Sequence, residues 1–189
     1  MHTALAGFPG LRPNAVGRAA WRPLFEAHRE VAARLDPALP AQVQADLDAV
    51  EAAWPHDLPT GTIHADLFPD NVFFDGDRFA GAIDFYFACD DLLAYDLAVM
   101  LNAWAFTASD RGFAYDPARA AALTEGYAST RPLSGFERAA LPVLALGAAL
   151  RFFLTRLADW ETTPAGALVT RKDPMEYAAK LAVWRGMRP

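Results

Sequence analysis

The sequence predicts an α+β chain that is mainly helical and carries one small β-hairpin near its middle. Three observations carry that reading. Apolar residues recur at helical spacing over long stretches on both sides of the centre. Between those stretches lie two short strand-like runs separated only by Asp75-Gly-Asp, a strong hairpin turn. The chain has 189 residues, 53% of them apolar, which is enough to bury one core as a single domain.

Taken in order, Leu24, Phe25, Val31 and Leu35 recur at roughly helical intervals with Glu26, Arg29, Glu30 and Arg34 between them. Pro23 suits only a first turn, so this helix is expected to begin near it. A second helix is expected from about Ala41 to Trp54, with Val43, Leu47, Val50 and Trp54 on one face. His28 and His56 read as surface residues. Pro55 and Pro59-Thr-Gly then break the chain, and Thr62-Ile63 reads as a short strand or turn delivering His64. Asn71-Val-Phe-Phe and Arg78 to Ile83 are the two arms of the hairpin.

Leu92 to Phe106 is apolar almost all round, the pattern of a helix buried inside a lobe. Asp96 within it needs a partner, and reads as a helix-start carboxylate or structural acceptor. Asp116-Pro-Ala opens a helix to about Ser129, with a capping side chain and proline at its first position. Ser134-Gly-Phe-Glu is a capping box for a long helix that passes Pro142, with a kink, toward Trp160. Arg151 and Arg156 lie on that helix five residues apart, so no more than one of them faces a substrate. Asp173-Pro-Met-Glu-Tyr to Trp184 reads as the last helix.

The chemistry gathers at Thr62-Ile-His-Ala-Asp-Leu-Phe-Pro-Asp-Asn-Val-Phe-Phe and Gly81-Ala-Ile-Asp-Phe-Tyr-Phe-Ala. His64-x-Asp66-x-x-x-x-Asn71 has the spacing of a kinase catalytic loop, and Ile83-Asp84-Phe85 stands where kinases keep a metal-binding Asp-Phe pair. Phosphoryl transfer asks for positioning and charge neutralisation. One carboxylate accepts the proton of the attacking hydroxyl, and an amide oxygen with a second carboxylate holds Mg²⁺ against the phosphates. Asp66 is the candidate base; Asn71 and Asp84 are the candidate metal and nucleotide ligands; the hairpin brings Asp84 back beside Asn71.

The run from His64 to Val99, with Tyr86-Phe-Ala-Cys and Tyr95-Asp-Leu-Ala inside it, resembles the central region of the homoserine kinases built on the aminoglycoside-phosphotransferase-like (choline-kinase-like) fold. The likeness extends to Met1-His, Phe8-Pro, Arg12-Pro-Asn, Ala149 to Leu157 and Arg171-Lys-Asp-Pro, and so covers nearly the whole chain. It implies the C-terminal lobe of a protein-kinase-like fold and transfer of the ATP γ-phosphate to L-homoserine, a step of threonine biosynthesis, with Mg²⁺ as cofactor. It also implies that His64 and Asp96 support the catalytic loop rather than react. Kinases for another acceptor (an aminoglycoside, choline or another amino acid), a non-catalytic binding lobe and, more remotely, a metal-dependent phosphohydrolase remain open.

A complete kinase of this kind also needs a lobe that covers the phosphates and presents a lysine to them. The sequence has no Gly-x-Gly, and its only lysines are Lys172 and Lys180. Residues 1–189 are therefore expected to be one catalytic lobe lacking its nucleotide-covering partner, which is missing or separately supplied. The net charge of −6 and pI near 5.1 argue against a nucleic-acid partner. A lone Cys89 expects no internal disulfide and reads as a small buried apolar residue. No basic segment followed by an apolar run opens the chain, and Ala139 to Leu150 is too short to span a bilayer, so a cytoplasmic protein without membrane contact is expected.

Overall fold

The computed structural model describes residues 1–9, 12–109, 112–162 and 172–187, which leaves Arg171 of the Arg171-Lys-Asp-Pro run outside the described residues. Helices dominate, as the apolar periodicity requires. The long helix α6 (Gly135–Thr162) forms the axis, and α1 (Arg18–Ala27), α3 (Leu39–Ala53), α4 (Leu93–Trp104) and α7 (Met175–Gly186) pack around it. The seam holds Phe25, Val43, Leu47, Leu97, Leu146, Leu150, Phe153 and Leu157, each essentially sealed from solvent. Burying each such side chain stabilises the fold by about 1.5–3 kcal/mol. By length and composition α6 could cross a membrane, but 72% of its apolar window is buried inside the protein, which makes it a core helix.

Local rules account for several helix starts. Asp116 caps α5 (Pro117–Thr130), its side chain accepting the Ala118 and Arg119 amides. Ser134 and Glu137 form the reciprocal box at the start of α6, at 2.9 and 3.1 Å. The expectation for the first helix needs correction. It begins earlier, at Arg18, and Pro23 sits inside it rather than in its first turn. His28 then separates α1 from α2 (Arg29–Leu35), so one expected helix is two. Trp21 and Phe25 hold the interior proline in helical register by packing into the core.

The single expected hairpin is one of three two-stranded sheets among the described residues. β2 (Val72–Asp75) and β3 (Arg78–Ala82) are that hairpin, with a register irregularity between Phe73 and Phe74. β1 (Thr60–Ile63) pairs with β4 (Cys89–Leu92), a strand the sequence reading did not pick out. β5 (Phe106–Ser109) and β6 (Gly112–Tyr115) form the third pair. The expected helix from Leu92 to Phe106 is accordingly shorter, because its ends belong to β4 and β5. Cys89 is buried in β4, where burial pushes its thiol up to about 11 and keeps it protonated and inert.

Candidate active site

β1 ends at Ile63, and the candidate catalytic loop starts there in a conformation that only neighbouring groups can hold. Ala65 has a φ of 63°, a left-handed backbone that costs an alanine about 1–2 kcal/mol. The bend turns the amides of His64 and Ala65 toward one carboxylate. Asp96, in the first turn of α4, accepts them at 3.0 Å through Oδ2 and 2.7 Å through Oδ1. Hydrogen bonds to a charged group contribute about 1.5–3 kcal/mol each, so the pair outweighs the strain. Asp96 also meets Nε2 of His2 at 2.9 Å, and the other ring nitrogen of His2 meets the Tyr127 hydroxyl at 2.8 Å. This carboxylate is buried and multiply bonded.

His64 is fully buried. Its Nδ1 accepts the Asp66 amide at 3.3 Å, which assigns the proton to Nε2, the donor to the Ile83 carbonyl at 2.9 Å. The imidazole thus spans the loop of Asp66 and the loop of Asp84. Its ring packs against Phe85, centroids 4.5 Å apart.

Asp66 carries the loop's outward carboxylate, with its side chain 17% exposed. Burial, the largest influence, pushes its carboxyl above the ordinary range, while Arg151 and Lys172 oppose that rise. Its two oxygens face different neighbours. Oδ2 lies 3.4 Å from the Asn71 amide nitrogen, which also donates to the Asp66 carbonyl at 2.8 Å. Oδ1 faces the Arg151 guanidinium at 4.0 Å.

Asn71 and Asp84 both stand at the open end of the hairpin, just beyond its last strand pair. The Ile83 amide donates to the Asn71 carbonyl at 3.0 Å, one step beyond the Val72–Ala82 pair. Asp84 is exposed and left-handed at φ 60°, a conformation an aspartate tolerates better than most residues. With the Asn71 nitrogen turned to Asp66, its amide oxygen remains as the donor a cation would take. One amide oxygen and one carboxylate fit Mg²⁺, a hard cation that binds through one or two carboxylates plus phosphates and water. Among the described residues no three His, Cys, Asp or Glu side chains gather as a metal group, so a dedicated all-protein cage is not part of this surface.

Three supports escaped the sequence reading, because each acts across a long sequence separation. They are His2 on Asp96, Trp104 Nε1 on the Leu67 carbonyl at 2.8 Å, and Lys172 near Asp66. Arg151 is 2% exposed, donates through Nη1 to the Ala65 carbonyl, and lies over the Phe152 and Phe87 rings at 4.3 and 5.0 Å. Arg156 is spent elsewhere, on Glu176 at 2.6 Å and the Asp173 carbonyl at 3.0 Å. Of the two arginines expected to leave at most one facing a substrate, it is Arg151 that lies beside Asp66.

A half-buried carboxylate flanked by an amide and a second carboxylate, on a mainly helical fold, has the groups that phosphoryl transfer asks for. Comparison with known proteins gives the same class: residues 1–133 match the phosphotransferase enzyme family, and the chain belongs to it. It is 59% identical over 186 residues to a homoserine kinase of Caulobacter vibrioides, covering 98% of this chain and 58% of that protein. A homoserine kinase of Rhizobium etli is 56% identical over 185 residues, covering 98% and 57%, and one of Brucella ovis is 56% identical over 188 residues, covering 100% and 55%. The chain thus spans a little over half the length of these relatives.

Proposed function

We propose that this chain is the catalytic lobe of a kinase that moves the γ-phosphoryl group of ATP to the side-chain hydroxyl of L-homoserine, in the cytoplasm. The observation that carries the reading is the split environment of Asp66, with Asn71 against one oxygen and the Arg151 guanidinium facing the other at 4.0 Å. Asp66 takes the hydroxyl proton as the oxygen attacks the γ-phosphorus, and the bond to the leaving ADP oxygen breaks. Asn71 and Asp84 would hold Mg²⁺, which would supply neutralisation of the charge that develops on the phosphoryl oxygens. His64 and Asp96 keep Asp66 in place without exchanging protons with substrate. The identity to several homoserine kinases supports the choice of acceptor.

The reading also needs a nucleotide-covering lobe, since the only lysines lie near the C-terminus and Lys180 is buried against Glu176 and Asn102. We place that lobe against the hairpin, where Phe73, Phe74, Phe79, Ile83, Phe85 and Tyr86 are all 48–71% exposed. The test is an acceptor screen on this chain joined to the part of the Caulobacter relative that the match leaves uncovered. Phosphorylation of L-homoserine far above choline, aminoglycosides and other hydroxy amino acids is expected. Transfer to a different acceptor, or none to any, would remove this reading.

A further inference from the structure

The arginine and the lysine that act on Asp66 differ in what they can meet. Arg151 is sealed from solvent and donates to the Ala65 carbonyl. Lys172 is exposed, and its ammonium has no hydrogen-bond or ion-pair partner among the described residues. Burial raises the Asp66 carboxyl, and Lys172 is second to Arg151 among the charges that oppose that rise.

Both ends of the path from Lys172 to Asp66 are fixed. The ammonium lies over the Phe68 ring, 5.4 Å from its centroid. That ring packs edge-on against Phe152 at 4.9 Å, and the Phe68 amide donates to the Asp66 carbonyl at 2.8 Å. The backbone next to Lys172 is held as well. Arg156 donates to the Asp173 carbonyl at 3.0 Å, and the Asp173 side chain accepts the Met175 amide at 2.8 Å, at the start of α7. Two anchored segments thus present an unpaired cation near the candidate base. The Asp66 side chain also reaches solvent, at 17% exposed, so no closed wall has to open for a ligand to approach either group.

The surroundings of Phe68 indicate which reactant the ammonium serves. Asn71 and Asp84, the candidate metal ligands, stand at the hairpin, and the phosphates belong with that pair. Phe68 turns instead to the helices, where its ring meets Phe152 of α6 and Lys172 just ahead of α7. That leaves the ammonium for an anionic group of the acceptor. A carboxylate is such a group, and its hydrogen bonds to an ammonium are of the stronger, charge-assisted kind.

We propose that Lys172 is a specificity residue of the acceptor site, holding the α-carboxylate of a short hydroxy amino acid while the hydroxyl of that molecule reaches Asp66. This rests on Asp66 being the base and adds the group that separates hydroxy acids from neutral or cationic alcohols.

The test is calorimetric titration of the chain and of Lys172→Gln with L-homoserine, its methyl ester and Mg-ATP. Lys172 is exposed, so the substitution leaves the core untouched. The wild type should bind L-homoserine about fivefold or more tightly than the ester, the upper range for an ion pair at a surface. Lys172→Gln should bind acid and ester within about twofold of each other and leave Mg-ATP binding unchanged, while Lys172→Arg should keep most of the preference. If the wild type shows no preference, or Lys172→Gln retains it, the carboxylate is held elsewhere: the proposal falls and the acceptor reading stands. Weaker Mg-ATP binding by Lys172→Gln, with the preference for the acid kept, assigns the ammonium to the phosphates and overturns the proposal. Failure of the folded wild-type chain to bind L-homoserine overturns the acceptor reading and this proposal together.

Discussion

The imidazole of His64 donates to the carbonyl of Ile83 at 2.9 Å and so fastens the loop of the candidate base to the loop of the candidate metal ligand. The same ring receives the Asp66 amide on its other nitrogen. One neutral side chain therefore fixes the separation between Asp66 and Asp84, which sequence spacing alone leaves open.

His64→Ala should cut that tie without removing a reacting group. Expected is weaker cation binding, read as about tenfold or more higher Kd for Mn²⁺ in a paramagnetic titration, with helix content retained. Unchanged Mn²⁺ affinity would mean that the ring only fills space.

Asp96→Ala should be more damaging to the fold. It strands the His64 and Ala65 amides inside the protein and leaves the left-handed turn at Ala65 unsupported. Each of the two stranded donors costs about 1–3 kcal/mol, so a loss of about 2–6 kcal/mol is expected in a denaturant titration. Asp96→Asn keeps one acceptor and should fall between the alanine variant and the wild type.

Asp66 has the opposite balance, since its ionised form is disfavoured by burial. Well below pH 4, at about pH 3 and under, the carboxyl is largely protonated in folded and unfolded chains alike, and the group adds little pH dependence. As pH rises through its elevated native value, the folded state comes to carry the desolvation cost and stability falls. Asp66→Asn should remove that loss, giving a Tm equal to or above wild type at neutral pH and little advantage at about pH 3. A lower Tm at both pH values would contradict it.

Gly147 lies where α6 meets Trp21 of α1 and Trp54, which follows α3. A Cβ there would stand 2.5 Å from Trp54 Cζ3 and 2.9 Å from Trp21 Cη2, and those rings pack edge-on at 5.4 Å with little freedom to yield. Alanine gains about 1 kcal/mol of helix propensity, while overpacking costs about 1–3 kcal/mol. Gly147→Ala should thus destabilise, and a raised melting temperature would show that the seam has slack.

What the sequence made legible was local. The Asp116 cap, the Ser134–Glu137 box, the Asp75-Gly-Asp turn and the closeness of Asn71 to Asp66 each rest on side chains a few residues apart. The β1–β4 pair was not legible, because Cys89-Asp-Asp-Leu has no strand-like alternation. Its carboxylates serve other contacts: Asp90 accepts the Arg12 amide at 2.7 Å and Asp91 the Asn14 side chain at 2.7 Å. Likewise Arg151 reads as one charge on an apolar helix until folding brings it to Ala65, 86 residues away in sequence. The helix break at His28 had no local warning either, since the apolar spacing runs on through it.

The most direct measurement is single-turnover transfer of the γ-phosphoryl group to L-homoserine by the joined enzyme and its Asp66→Asn variant, with Mg-ATP affinity measured alongside. Loss of the base should slow transfer by about 10²–10⁴-fold and leave the Mg-ATP Kd within about twofold, because Asn71 and Asp84 remain. Transfer within tenfold of wild type would contradict the account and show that the proton leaves by another route.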